Sequence, residues 1–193
     1  LVGHQGPVQG VVCSPDGKWL ASAAEDQVIK IWQAETGRLV TTLRGHEKPI
    51  LGLSFRHDGL QLASAGQDRT VRIWDVAKGE VVQVLNGHEG YVNSVAFHPN
   101  GKQVASGSGD RTVRIWNLDH PELTKVIGGL KGQVTSVSYS SDGTRLAAGG
   151  TLFLRLYDAS GDYLGGFGGS LNYVRSIAIS PHGKYLAARH DDL

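Results

Sequence analysis

The sequence predicts an all-β chain built as an array of four-stranded antiparallel sheets, and three observations carry that expectation. First, unrelated residue types recur at one interval. His4, His46 and His88 stand 42 residues apart (46 − 4 and 88 − 46), as do Trp32, Trp74 and Trp116, and Asp26, Asp68 and Asp110. A fixed period of this length marks a chain made of repeated supersecondary units. Second, apolar residues inside each repeat alternate with the two-residue period of a strand rather than the 3.6-residue period of a helix. Third, the chain carries 27 glycines, well above an average share, which supplies many tight turns.

The third repeat shows the elements in order. Val92 to Phe97 alternates, with Asn93, Val95 and Phe97 on one face and Val92, Ser94 and Ala96 on the other. Pro99-Asn100-Gly101 turns the chain, Gln103 to Ser108 forms a second strand, and Gly109-Asp110-Arg111 turns it again. Thr112 to Asn117, rich in β-branched residues and containing Trp116, is a third strand, and a more polar fourth is expected near Leu123 to Ile127. The first strands carry small residues on one face (Gly10, Gly52, Ser94, Ser136, Ser176) and larger ones on the other (Val11, Leu53, Val95, Val137, Ile177). That pattern suits strands buried on both sides, with sheet stacked on sheet. Cys13, within an apolar run, is expected to be a small core residue.

The repeats are expected at 1–42, 43–84, 85–127, 128–164 and 165–193, the last one incomplete. The period weakens after the third. Gly129-Leu130 stands where Gly87-His88 would recur, Tyr157 falls one residue before the expected tryptophan, and Gly169-Ser170 opens the fifth unit. There is no methionine, even at position 1, so a piece of a longer protein is expected. The charge is nearly balanced, with 19 basic and 18 acidic residues and a net +1, which speaks against a broad nucleic-acid or membrane patch. With no long apolar stretch and no signal-like start, a cytoplasmic protein is expected. One cysteine excludes an internal disulfide.

A Gly-His pair, a Ser-Pro-Asp-Gly turn (Ser14 to Gly17), a Leu-Ala-Ser strand (Leu62 to Ser64), a turn aspartate and Ile-Trp-Asp (Ile73 to Asp75) all lie on this period. Together they resemble the WD-repeat β-propeller family, whose repeats run about 40–45 residues. The resemblance covers essentially the whole chain and extends to bacterial-type WD-repeat arrays, which often adjoin a signalling NTPase, kinase or protease domain. It implies about four and a half blades of a propeller of roughly seven, within the usual range of 4–8. The ring would be completed by further blades or a second chain. The implied function is a non-catalytic protein-interaction scaffold or sensor module in a larger signalling or regulatory protein, binding a protein or peptide. The alternative is an enzyme with a pocket in the central channel or on one rim.

Each of the first three repeats also holds the residue types of a serine hydrolase: His4, Ser22 and Asp26; His46, Ser64 and Asp68; His88, Ser106 and Asp110. Repetition argues against catalysis, because a strained nucleophile, an oxyanion hole and a substrate pocket are rarely met three times over. The resemblance implies instead a structural relay in each blade, running from aspartate through histidine and serine to Trp32, Trp74 or Trp116. The fourth repeat, with Leu130, Ala148, Thr151 and Tyr157 at those positions, lacks the relay. The fifth keeps Asp192 beside Ser170 and Ala188. These last blades are expected to be held by apolar packing alone.

No cofactor or metal is expected. His57, His98 and His182 belong to different blades, and no phosphate loop follows the glycine runs. Lys30, Arg72, Arg114 and Arg155 are read as a solvated blade edge. The family's favoured partner positions lie on one rim. Carried over, they are Pro7, Gln9 and Glu25; Pro49, Leu51 and Gln67; Tyr91, Asn93 and Gly109; Gln133 and Thr135; and Tyr173, Arg175 and Asp191. Aromatic and apolar anchors in a polar surround suit a protein or peptide.

Overall fold

The computed structural model describes residues 1–167, 173–181 and 183–191. It is a partial β-propeller. The first sheet runs β1 (Val8–Cys13), β2 (Trp19–Ala24), β3 (Val28–Gln33) and β4 (Leu39–Arg44), in that order. The second runs β5 (Ile50–Phe55), β6 (Gln61–Gly66), β7 (Val71–Asp75) and β8 (Glu80–Leu85). The third holds β9 (Val92–Phe97), β10 (Gln103–Ser108), β11 (Val113–Asn117) and β12 (Lys125–Ile127). The fourth holds β13 (Val134–Tyr139), β14 (Arg145–Gly150), β15 (Phe153–Asp158) and β16 (Tyr163–Gly166). Two strands, β17 (Tyr173–Ile179) and β18 (Leu186–Asp191), form a fifth, smaller sheet. All pairings within the sheets are antiparallel.

The register keeps equivalent residues opposite each other. Val104 pairs with Phe97 on one side and Trp116 on the other, and Leu146 pairs with Tyr139 and Tyr157. Tyr157 therefore occupies the tryptophan position. It arrives one residue early because the turn before β15 is shorter and has lost its aspartate.

Each core lies between two neighbouring sheets. Ile29 and Leu43 of the first sheet pack with Ile50, Leu62 and Trp74 of the second. Ala63 and Val71 pack with Val92, Val104 and Trp116. Ala105 and Ile115 pack with Val134, Leu146 and Tyr157. Stability in such an array is the sum of unit and nearest-neighbour terms. At the Val11 position the equivalent residues Leu53, Val95 and Val137 are 8%, 5% and 5% exposed, whereas Val11 itself is 54% exposed. Among the described residues no sheet covers the outer side of β1, and Cys13 is exposed with it, contrary to its expected place in the core. The alternation that suggested burial is present, but alternation alone does not bury a strand.

The expected fourth strand of the third sheet is shorter than its sequence suggested. A 3-10 turn, Pro121–Leu123, precedes the three-residue β12. Pro121 fixes φ and has no N–H for a ladder, and the Asn117 carboxamide accepts the N–H groups of Asp119 and His120, which shapes the turn. The fourth and fifth sheets are not held by apolar packing alone. The Ser94 hydroxyl accepts the Val137 N–H at 3.1 Å, the Ser136 hydroxyl accepts the Ile177 N–H at 3.1 Å, and Thr135 donates to the Val174 carbonyl. The small residues on the first strands thus serve both close approach and polar stitching between sheets.

Candidate functional site

The repeated polar residues meet inside each of the first three sheets. In the third, His88 Nδ1–H donates to Asp110 Oδ2 at 2.7 Å, the Ser106 hydroxyl donates to His88 Nε2 at 2.7 Å, and the Trp116 indole N–H donates to the Ser106 oxygen at 2.8 Å. His46, Asp68, Ser64 and Trp74 repeat these distances at 2.7, 2.7 and 2.8 Å. In the first sheet His4 reaches Asp26 at 2.8 Å and Ser22 at 2.7 Å, with Trp32 donating to Ser22 at 2.8 Å. A carboxylate only accepts and an indole only donates, so the histidine tautomer and serine rotor follow from the two ends of the chain.

The first part of this geometry is that of a hydrolytic triad, but the serine is placed otherwise. Ser64 and Ser106 are 0% exposed, and each oxygen is also tied to an indole N–H. A nucleophile must reach a substrate carbonyl; these hydroxyls reach only their own sheet.

Electrostatics follow from the same partners. Burial pushes the Asp110 carboxyl up, but bonds from Thr112, His88 and the Glu89 N–H outweigh it and hold it at about 2. Asp68 is likewise opposed by burial and is held well below the usual carboxylate range by His46 and Thr70. Burial pulls His88 below its ordinary value, with Asp110 opposing in part, so the ring stays neutral.

Further residues join the relay. Thr70 and Thr112 donate their hydroxyls to Asp68 and Asp110 at 2.8 and 2.7 Å. Arg72 and Arg114 are not the expected solvated edge. Arg114 lies over the Trp116 ring at 5.5 Å, Arg72 comes within 3.9 Å of Asp68, and the Nε of each is buried. Their spacing from the turn aspartate, four residues, was the available signal. In the fourth sheet Leu130, Ala148 and Tyr157 are all buried, and the Tyr157 hydroxyl has no hydrogen-bond partner among the described residues.

The rim positions divide into three groups. Gln67, Tyr91, Gly109 and Gln133 converge on one depression of about 450 Å³ at the sheet ends, lined also by Glu47, Lys48, Arg69 and Glu89. Tyr91 is 52% exposed there, and Gly109 leaves room between it and Gln133. A second group is engaged in paired side chains. Gln9 donates to Glu25 at 2.8 Å, and Arg175 pairs with Asp191 at 2.8 Å while lying over the Tyr173 ring. The third group is turned to other tasks. Asn93 donates to the Val134 carbonyl of the next sheet at 2.8 Å, Thr135 joins the fourth and fifth sheets, and the Pro7 and Pro49 carbonyls accept the Glu25 and Gln67 N–H groups. Leu51 is half-buried on β5.

His57 is exposed, and His98 donates from Nε2 to the Gly143 carbonyl at 2.9 Å. Among the described residues no group of three His, Cys, Asp or Glu side chains is placed to hold a metal ion. His182, Gly169, Ser170 and Asp192 lie outside the described residues.

A family model described as the IFT122 first beta-propeller matches residues 7–151, more than half of the chain. Curated relatives match over about one repeat. The chain is 50% identical over 44 residues to the Notchless protein homolog of Arabidopsis thaliana, covering 23% of the chain and 9% of the relative. It is 44% identical over 43 residues to the pre-mRNA-splicing factor PRP46 of Yarrowia lipolytica (22% and 10%). It is 42% identical over 38 residues to a ribosome biogenesis protein BOP1 homolog of Monosiga brevicollis (20% and 5%). The matched stretch thus spans a tenth or less of these relatives' own length. With the stacked four-stranded sheets and the repeated His–Ser–Asp–Trp geometry, the family match leads to one conclusion: the chain belongs to the WD-repeat β-propeller family.

Proposed function

We propose that this chain is a non-catalytic protein-interaction scaffold that takes a protein or peptide partner on the rim around Tyr91. The observation that carries this reading is the convergence of Gln67, Tyr91, Gly109 and Gln133, from three neighbouring sheets, on one open depression. An exposed tyrosine ringed by amides and mixed charges has the composition of an interface anchor. The four relay residues of each of the first three sheets are internal supports in this account, and the enclosure of Ser64 and Ser106 favours it over the enzyme alternative.

A signalling or sensor role is a narrower form of the same proposal, and it draws on the resemblance to bacterial-type arrays alone. Relatives named as a pre-mRNA-splicing factor and a ribosome biogenesis protein favour a scaffold within a multicomponent assembly. The exclusion of nucleic acid drawn from net charge is therefore not retained. The expected cytoplasmic location rests only on sequence; among the described residues no helix is long and apolar enough to cross a membrane.

The test is photo-crosslinking from a reactive group placed at Tyr91, with the same group at Asp119 as control. Discrete protein adducts from position 91 alone support the proposal. Equal adducts from both positions, or none, contradict it.

A further inference from the structure

The junctions between sheets differ at one repeated corner, the residue following the first strand of each four-stranded sheet: Ser14, Arg56, His98 and Ser140, each 42 residues from the last (56 − 14, 98 − 56 and 140 − 98). Arg56 fills its junction. It lies across to the next turn, so that a Cβ on Gly101 would sit 3.1 Å from its Cδ. His98 fills the next, stacking edge-on against Tyr139 at 4.8 Å and donating to the Gly143 carbonyl. Ser14 reaches no further than its own turn, donating to Asp16 at 2.6 Å and accepting the Trp19 N–H at 2.9 Å. The Ser14 corner is itself buried, and the junction between the first and second sheets is indented further out. It holds a groove of about 500 Å³ lined by Trp19, Ile31, Val40, Leu60 and Val76.

Two of those residues break the repeat. Trp19 stands where the other full sheets have Gln61, Gln103 and Arg145, and Leu60 where they have Lys18, Lys102 and Thr144. Leu60 is 62% exposed despite its apolar side chain. The other junction with a serine corner, at Ser140, also leaves a depression, but Arg145 and Lys184 line it with positive charge. On the far side of Trp19 lies a polar depression of about 320 Å³ lined by Asp16, Lys18, Gln33 and Glu35. Asp16 there already pairs with Lys18 at 3.4 Å and accepts from Ser14, which leaves Glu35 as the carboxylate facing an incoming cation. The groove also runs beside β4, the outer strand of its sheet, whose free backbone edge suits an added extended segment. This end of the strands is opposite the Tyr91 rim, because β1 and β2 turn at Ser14 to Lys18 while the rim holds the turns between second and third strands.

We infer that the groove at Trp19 is a second, separate docking site, for an extended segment of a partner protein with two neighbouring apolar side chains followed by a lysine or arginine. The apolar pair fills the space beside Leu60 and Val40. The cation lies against the Trp19 face and meets Glu35.

The test uses the full chain and a labelled peptide of sequence Gly-Ser-Leu-Ser-Phe-Ser-Lys-Gly, whose Leu, Phe and Lys share one face when extended, with a version carrying glutamate for lysine. Binding is read by fluorescence anisotropy and by amide chemical-shift changes. The first peptide binds and shifts residues around Trp19, Val40 and Leu60, and Tyr91→Ala leaves its affinity unchanged. Leu60→Lys, which copies Lys102 and disturbs no core, weakens it about tenfold, as does the glutamate peptide. Trp19→Gln does the same. The inference is overturned if the wild-type chain does not bind the peptide, if Leu60→Lys or the glutamate peptide binds equally well, or if the shifts gather at Tyr91 instead.

Discussion

Replacing Ser106 by alanine isolates what the relay contributes. The Ser106 side chain is wholly buried, and its one oxygen serves two partners, donating to His88 Nε2 and accepting from the Trp116 indole. Ser106→Ala removes both bonds and leaves two groups without partners in a space water does not reach. Each orphaned buried group costs about 1–3 kcal/mol, so the expected loss is about 2–6 kcal/mol, concentrated in the third sheet. Native-state hydrogen exchange at the β10 and β11 amides reads that loss locally, which matters in an array where a single global transition is not assured. The fourth sheet supplies a control, since Leu130, Ala148 and Tyr157 fill the same places without a relay. Combining His88→Leu, Ser106→Ala and Trp116→Tyr copies that set and removes the donors and acceptors from histidine to tryptophan together, leaving Asp110 to Thr112 and the Glu89 N–H. The triple variant should cost at least about 1 kcal/mol less than the sum of the three single changes. Unchanged exchange in Ser106→Ala, or strict additivity in the triple variant, would refute the reasoning.

Three further outcomes follow from the same geometry. Burial holds His88 below its unfolded value of 6.5, so the unfolded chain takes up that proton first; stability is whole above about pH 6.5 and falls as pH drops below it. Asp110, held at about 2 in part by His88, adds a further loss as pH falls from about 4 towards 2, and His88→Gln should remove the upper step in a denaturation-midpoint profile while reducing the lower one. Gly87 has φ +147°, and a Cβ there would sit 2.7 Å from Arg114 Nη1 and 3.4 Å from the Trp116 ring, so Gly87→Ala should cost about 1–2 kcal/mol in denaturant titration. Amides after residue 128 should exchange faster than their equivalents in the second and third sheets, because no relay ties the hairpins of the fourth; equal protection would count against the relay as a stabilising device.

Features repeated along the chain were legible in sequence because repetition multiplies a weak signal. His46, Ser64, Asp68 and Trp74 each recur on the 42-residue step, and their chemistry demands partners, so their meeting could be anticipated. Features set by the neighbouring sheet were not legible. Cys13 alternates like a core residue, yet its burial depends on a sheet beside β1. Arg114 reads as a solvated charge until Trp116 offers its ring face, and Asn93 reads as a rim amide until the Val134 carbonyl comes within reach. The corner residues Ser14, Arg56, His98 and Ser140 carry the period without sharing a chemistry. Only the structure shows that Arg56 and His98 reach across to the next sheet's turn.

The central claim is that residues obeying the repeat hold the sheets, while residues breaking it meet partners. Its most direct test measures the denaturation midpoint and the affinity for the partner crosslinked at Tyr91, side by side, in two variants. His88→Ala is predicted to lose about 1–3 kcal/mol of stability and, when folded, to keep its affinity. The double variant Tyr91→Ala with Tyr173→Ala is predicted to keep its midpoint and to bind at least about tenfold more weakly. A double variant that binds fully, or a His88→Ala chain as stable as the parent, would contradict the account.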